Sequence, residues 1–148
     1  MKKLLILLVS LLLCGIAYAQ EDPADAIIGN YDACYKGRDY KVRIYKRSDG
    51  KYRAQVTWFA NSTDPKTGEK LKDVKNPDKS KRDTPCDRIV LSDGLQYDAE
   101  KNQWSKAKIY DPQSGIKVNV TMRFDEPGKL AVRGSMLGIG VTIYWYRQ

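Results

Sequence analysis

Histidine is absent from all 148 residues of the chain, and only three cysteines occur. Histidine is the commonest metal ligand and the usual general base near neutral pH, so its absence removes the main component of both kinds of site. No glycine-rich phosphate loop and no nucleophile elbow occurs either. Any catalysis would depend on carboxylate, lysine, tyrosine or cysteine side chains. The sequence therefore establishes no enzyme, and we expect no metal and no cofactor.

The longest apolar run is at the N-terminus, from Leu4 to Ile16, and follows two lysines. A basic start, a short apolar segment and the ending Ala17-Tyr18-Ala19 have the form of a secretory signal peptide. The run is too short for a comfortable membrane span. We therefore predict a signal peptide over residues 1–19 and one domain over residues 20–148, periplasmic or secreted, with no transmembrane span after cleavage.

Cys14 raises the alternative of a lipoprotein signal. Such a signal needs a small residue directly before the cysteine, and Leu13 is not small. We expect simple cleavage and no lipid attachment.

The exported part of the chain is moderately basic. Without Lys2 and Lys3, the 26 Lys and Arg residues become 24 against 18 Asp and Glu, a net charge of +6. Such a charge could favour anionic partners. Because both signs are scattered along the chain, an ordinary soluble surface is the simpler interpretation. Export separates the protein from nucleic acid, so we expect no nucleic-acid partner.

Eight segments alternate apolar and polar residues with a period of two, the pattern of half-buried strands. They are residues 29–35, 40–47, 52–59, 88–91, 105–110, 116–124, 129–136 and 141–148. Short turns rich in Gly, Pro and Asp join several of them, which is typical of antiparallel hairpins. We predict an all-β fold: an eight-stranded antiparallel up-and-down barrel, with a long loop between strands three and four. A two-sheet sandwich is the alternative arrangement.

The alternation also assigns side chains to the two faces of the sheet. An eight-stranded barrel is wide enough to be filled by side chains or to hold one small ligand, and both remain open. The large inward candidates for the lumen are Tyr52, Trp58, Met122, Phe124, Met136 and Trp145. The same parity predicts outward, exposed tyrosines at Tyr45, Tyr110, Tyr144 and Tyr146.

Residues 60–87 show no alternation and form an unusually long connection. Their polar residues Asp73, Asn76, Asp78 and Arg82 are a candidate site for a cation, a sugar or another protein. The favoured alternative is that they bond one another and the loop backbone. We predict that the segment from Asp73 to Cys86 is an ordered cover over the barrel mouth, with Leu71 and Val74 buried against it.

Two cysteines, Cys34 and Cys86, remain after removal of the signal peptide. An even pair in an exported chain is typical of a disulfide, and its alternative is a pair of buried thiols. We predict the Cys34–Cys86 bridge. A redox-active pair is not expected, because the spacing C-x-x-C is missing.

An ordered set of short motifs spans most of the exported chain. They are Gly29-Asn30-Tyr31, Asn76-Pro77-Asp78 with Arg82 and Pro85, Trp104, Ile109-Tyr110-Asp111-Pro112-Gln113-Ser114-Gly115, Val132-Arg133-Gly134 and Trp145-Tyr146-Arg147. In this order they resemble the bacterial secreted family called domain of unknown function 2147 (DUF2147). The resemblance implies a small barrel similar to the calycins, the lipocalin-like group, and no established activity.

The same resemblance implies a structural role for two residues. In lipocalin-like barrels an arginine on the last strand lies over an aromatic ring of the first strand and closes one end. Arg147 and Tyr31 occupy these positions here. A guanidinium over an aromatic ring contributes about 0.5 to 2 kcal/mol.

Two functions follow from these features. The first is a binding module for a small apolar or amphipathic ligand held in the barrel. The alternative is an envelope protein-interaction module, including an inhibitor, that uses the long loop and the exposed tyrosines. An enzyme ranks third.

Overall fold

The computed structural model describes residues 19–148. Its eight strands are β1 (Gly29–Tyr35), β2 (Arg38–Lys46), β3 (Tyr52–Phe59), β4 (Val90–Asp98), β5 (Gln103–Asp111), β6 (Ile116–Glu126), β7 (Lys129–Met136) and β8 (Ile139–Arg147). The predicted signal peptide, including Cys14, lies outside the described residues apart from Ala19. Across residues 19–148, no helix has the length and apolar character needed to cross a membrane.

The strands form one closed sheet. Each strand pairs antiparallel with the next one in the chain, and β1 also pairs with β8. The prediction of an eight-stranded antiparallel up-and-down barrel is confirmed, and the sandwich alternative is wrong. The β1–β8 seam is formed by only three residue pairs, Tyr31–Ala33 opposite Trp145–Arg147. The barrel is therefore joined most firmly at the end where these residues lie.

The up-and-down order gives the barrel two different ends. The β1–β2, β3–β4, β5–β6 and β7–β8 connections meet at one end, which we call the open end. The other three connections, the segment before β1 and the C-terminus meet at the opposite end, the closed end. The long β3–β4 connection therefore belongs to the open end.

A short 3-10 helix, Pro23–Ile27, plugs the closed end. Ile27 is fully buried, and its carbonyl oxygen accepts a hydrogen bond from the Tyr31 hydroxyl at 2.7 Å. On the other side of the barrel, the Trp104 indole N–H donates to the carbonyl oxygen of Ala24 at 2.9 Å. The helix is thus fixed to β1 and to β5 by buried aromatic side chains, which use their polar atoms to satisfy its backbone.

Arg147 lies across the same end. Its guanidinium carbon is 5.5 Å from the centroid of the Tyr31 ring and 5.3 Å from that of Phe124. The guanidinium donates to the Tyr31 hydroxyl oxygen at 2.9 Å and to the carbonyl oxygen of Ala26. One side chain of the last strand therefore contacts the first strand, β6 and the plugging helix.

Large side chains fill the half of the barrel next to the closed end. Three of the lumen candidates, Tyr52, Met122 and Trp145, are fully buried there. A fourth, Phe124, is half-buried and packs edge-to-face on Trp104 with ring centroids 5.9 Å apart. Buried side chains of this size pack closely in this half, in accordance with the close packing of protein interiors.

Trp58 does not lie in the lumen, and the prediction for this residue is wrong. Lys41 pairs with Trp58, whereas Val42 pairs with Val56, so β3 carries one extra residue between these pairs. Such a bulge reverses the parity of the residues beyond it. Trp58 therefore points outward, 46% exposed, and Phe59 takes the inward position.

β4 extends seven residues beyond the predicted segment, to Asp98. The sequence Ser92-Asp93-Gly94 has the composition of a turn, but here it continues the strand. Tyr52 pairs with Leu95 and Arg53 with Asp93, which leaves Gly94 unpaired in a bulge at φ +85°. Glycine adopts this conformation without steric cost, so the strand bends and continues.

We expect Arg147→Ala to lower the free energy of unfolding by about 1 to 3 kcal/mol, because it removes the cation–π contacts and the hydrogen bonds at the closed end. Urea denaturation would measure the change. Arg123→Ala is the control, since its side chain is exposed and its carboxylate neighbour Asp125 lies 3.6 Å away. Equal stability of the two variants would contradict a closure role for Arg147.

Candidate functional site

A cavity of about 760 Å³ occupies the half of the barrel next to the open end. Its walls are mainly aliphatic and aromatic side chains, contributed by all eight strands. They include Tyr40, Val56, Phe59, Leu91, Ile109, Val118, Val132 and Ile143. The volume lies in the range of sites that hold small organic ligands.

Exposed apolar side chains surround the mouth of this cavity. Leu137 is 95% exposed at the tip of the β7–β8 turn, and Ile139 beside it is 77% exposed. Met136, predicted to lie in the lumen, is exposed at the same rim because it is the last residue of β7. Clustered apolar exposure of this kind is typical of a binding site.

The long connection lies over part of this mouth, and its polar residues are bonded to one another. The Asn76 side-chain amide donates to Asp73 at 2.7 Å, and its oxygen accepts from the Asp78 backbone N–H at 2.9 Å. Arg82 donates to the Asn76 carbonyl oxygen at 2.8 Å. The structure thus brings together the four loop candidates as a folded turn, the arrangement favoured by the sequence.

Asp73 anchors this turn to the barrel wall. Asp73 is 3% exposed, and its carboxylate accepts a hydrogen bond from the Tyr110 hydroxyl at 2.6 Å. Tyr110 is therefore buried, and its predicted exposure is wrong, because the loop covers the outer face of β5 at this point. Burial and the Asp73 carboxylate raise the pKa of Tyr110 above its usual value.

The same segment packs against the β5–β6 turn. Lys75 donates to the carbonyl oxygen of Gln113 at 2.7 Å. A Cβ atom at Gly115 would lie 2.5 Å from the Lys75 carbonyl oxygen, so only glycine permits this approach. Two motifs that are distant in sequence, around Asn76 and around Asp111, therefore form one contact surface.

The two apolar residues of the loop, Leu71 and Val74, differ in burial. Leu71 is half-buried and packs against the core, as predicted. Val74 is 67% exposed, so its predicted burial is wrong. Val74 directly follows the anchored Asp73 and lies at the edge of the mouth, where the loop does not continue inward.

The predicted Cys34–Cys86 disulfide is not formed. Cys34 is exposed on the outer face of β1, next to Asp39, and lines an outer groove. Cys86 is buried and lines the inner cavity. The two thiols lie on opposite sides of the barrel wall, so the wall separates them. Burial raises the pKa of the Cys86 thiol, which favours its neutral form.

The outer groove lies along the β1–β8 seam, where the strands separate toward the open end. Exposed aromatic residues Trp58, Tyr144 and Tyr146 line it. Tyr40 and Ile143 border both the groove and the inner cavity. The indole N–H of Trp145 donates to the Tyr40 hydroxyl oxygen at 3.1 Å. This hydrogen bond holds the Tyr40 side chain between the groove and the cavity.

Sequence reasoning missed several cavity residues. Arg38, Tyr40 and Phe59 line the cavity but were not among the site candidates. The signal for Arg38 was present, since it shares the inward parity of Tyr40 and Val42 on β2. Within residues 19–148, no group of three Cys, Asp or Glu side chains is arranged to hold a metal ion.

A closed eight-stranded barrel with one plugged end and one open cavity is a lipocalin-like, calycin-type fold. A solved structure with a similar fold is protein HP1028 from Helicobacter pylori, described as belonging to the lipocalin family. The two share 20% sequence identity with a TM-score of 0.67, and the match covers 82% of each chain.

The family is shown by sequence. Residues 29–147 match the family described as uncharacterized protein conserved in bacteria, DUF2147, and this chain belongs to that family. No significant match was found among curated proteins. The family resemblance and the calycin-like barrel inferred from the motifs are confirmed.

We expect Tyr110→Phe to loosen the loop, because the buried Asp73 carboxylate would lose a hydrogen-bond donor. The cost is about 1 to 3 kcal/mol, observed as faster amide hydrogen exchange over residues 73–76. Tyr45→Phe is the matched control, since the hydrogen bond from its hydroxyl to Gln55 is long, at 3.4 Å, and lies away from the loop. Unchanged exchange in Tyr110→Phe would show that Asp73 does not anchor the loop.

We also expect stability to fall at alkaline pH through Tyr40. Burial raises the pKa of Tyr40 to about 12, whereas an unfolded tyrosine titrates near 10. The contribution of Tyr40 to the free energy of unfolding is about 2 to 3 kcal/mol. It is fully present below pH ~10 and is lost as the pH rises toward ~12. Urea denaturation at each pH should show a shallower fall for Tyr40→Phe than for the unaltered protein. Tyr146→Phe, at an exposed position, is the control and should show the same fall of the free energy of unfolding with pH as the unaltered protein. An equally steep fall in Tyr40→Phe would contradict a role for Tyr40.

Proposed function

We propose that this protein binds a small apolar or amphipathic molecule in the open half of its barrel. The observation that carries the proposal is the cavity of about 760 Å³ with predominantly apolar walls, in a barrel whose other half is filled. The protein keeps this space open although filling it would add stabilising contacts. A ligand that enters would complete the packing.

The lining favours an aliphatic ligand over a polar one. Each methylene group that leaves water for such walls contributes about 0.8 kcal/mol. A polar molecule would need hydrogen-bonding groups deep in the cavity. The walls include residues such as Val56, Leu91 and Val132, whose side chains offer none. The lipocalin-like fold supports the same class of ligand.

We further propose that the protein acts outside the cytoplasm, in the periplasm or the surroundings of the cell. The support is the signal-like sequence of residues 1–19. Cell fractionation, with detection of a mature chain that begins near Gln20, would test this location.

The outer aromatic groove favours a second candidate function, contact with an envelope protein. Trp58, Tyr144 and Tyr146 are large exposed residues of the types enriched at interfaces. They lie outside the barrel wall, so this function would not require the inner cavity. A variant that fills the cavity therefore distinguishes the two functions.

We expect Val118→Trp to reduce binding of the apolar fluorescent probe N-phenyl-1-naphthylamine by about tenfold or more. Val118 is a half-buried wall residue of β6, and the indole would occupy space that the probe needs. Fluorescence titration of purified protein would give both dissociation constants.

Asn119→Trp is the matched control, since the adjacent side chain points outward and is exposed. It should leave probe binding unchanged, and thermal melting would show that both variants are folded. Equal probe binding by a folded Val118→Trp variant, or no binding by the unaltered protein, would contradict a ligand site in the cavity.

A further inference from the structure

We propose that the ligand is a single-chain amphiphile with an anionic headgroup, and that Arg38 binds this headgroup at the mouth while the chain occupies the cavity. This inference rests on the proposed function and specifies its ligand class. It derives from the position and the charge balance of one arginine.

Arg38 is the first residue of β2 and occupies an inward position of that strand. It lies on the same face as Tyr40 and Val42, which are deeper in the barrel. An arginine on the inner face of a barrel needs either solvent or an anion near its guanidinium. Here the side chain lies at the open end, exposed, with its guanidinium carbon 5.8 Å from the centroid of the Phe59 ring. Phe59 is itself a wall residue, so the charge is held above the apolar space.

The other charged side chains that line the cavity are already engaged. Asp111 forms an ion pair with Lys36 at 2.9 Å, and Asp73 accepts from Tyr110.

The two lysines at the mouth are engaged as well. Lys72 pairs with Asp83 at 3.1 Å, and Lys75 donates to the Gln113 carbonyl oxygen. Arg38 forms no ion pair with any carboxylate in residues 19–148. Lys75 also lacks a carboxylate partner, but its ammonium is bound to the Gln113 carbonyl oxygen, whereas the Arg38 guanidinium lies over the Phe59 ring above the cavity. The cavity therefore presents at its rim a guanidinium that no carboxylate neutralises.

An uncompensated cation above an apolar cavity selects ligands by their headgroup. An aliphatic chain supplies most of the affinity through burial, and a carboxylate or phosphate at its end can accept paired hydrogen bonds from a guanidinium. A cationic amphiphile would place like charges together at the same point. Carboxylate and phosphate share the required chemistry, so both are tested.

The experiment compares three ligands with the same chain, dodecanoate, dodecyl phosphate and dodecanol, by displacement of N-phenyl-1-naphthylamine below their micellar concentrations. We expect at least one anion to bind about fivefold or more tightly than dodecanol at low salt, with a smaller difference at high salt. Arg38→Met should remove this preference, and Arg38→Lys should retain part of it. The anion that shows the preference identifies a carboxylate or a phosphate headgroup.

Arg43→Met is the control for net charge, since Arg43 is exposed on the outer face of the same strand. It should leave the preference unchanged. If dodecanol binds as tightly as both anions, or if Arg38→Met keeps the preference, the headgroup inference is wrong while the cavity remains a binding site. If none of the three ligands displaces the probe and the probe itself does not bind, the proposed function fails.

Discussion

The hydroxyl of Tyr31 makes the contact on which the closed end depends. It donates to the Ile27 carbonyl oxygen and accepts from Arg147, while its ring lies 6.4 Å from that of Trp145. These contacts connect the plugging helix, the first strand and the last strand at the short β1–β8 seam. Because this end is closed by specific polar and aromatic contacts, the opposite half of the barrel is free to remain hollow.

The open end is stabilised by a separate contact. Asp73 and Tyr110 fix the long loop to the outer wall of β5, and Gly115 permits the close approach of Lys75. The loop thus folds against the rim without inserting into the cavity, and it brings Asp73, Val74 and Lys75 to the mouth. Family-motif residues therefore serve different parts of the barrel: Asn76 and Gly115 help to hold this loop, whereas Ile109 and Val132 line the cavity.

The alternation of side chains was sufficient to predict the strands and the closed barrel, because the period of two survives most of each strand. It failed at Trp58, where one extra residue in β3 reversed the parity, and single-sequence patterns give no sign of a bulge. It failed at Tyr110 for another reason: an outward residue becomes buried when a distant loop covers it. The Cys34–Cys86 disulfide was predicted from the expected export of the chain and from the even number of remaining cysteines. Neither property indicates on which side of the barrel wall a thiol lies.

Whether the barrel is filled or hollow depends on how side-chain volume is distributed along the strands. On β6 the inward residues increase in size from Val118 near the mouth to Met122 near the closed end. β7 runs from the closed end to the open end, and its inward residues become smaller from Leu130 to Gly134. Gly134 pairs with Val120 of β6. Since the strands are antiparallel, both trends place small residues at the open end and large ones at the closed end. The total volume of the inward apolar side chains therefore does not decide whether the barrel is filled or hollow. The hairpin register assigns each side chain to a depth in the barrel, and this distribution of volume places the cavity next to Arg38, at the open end.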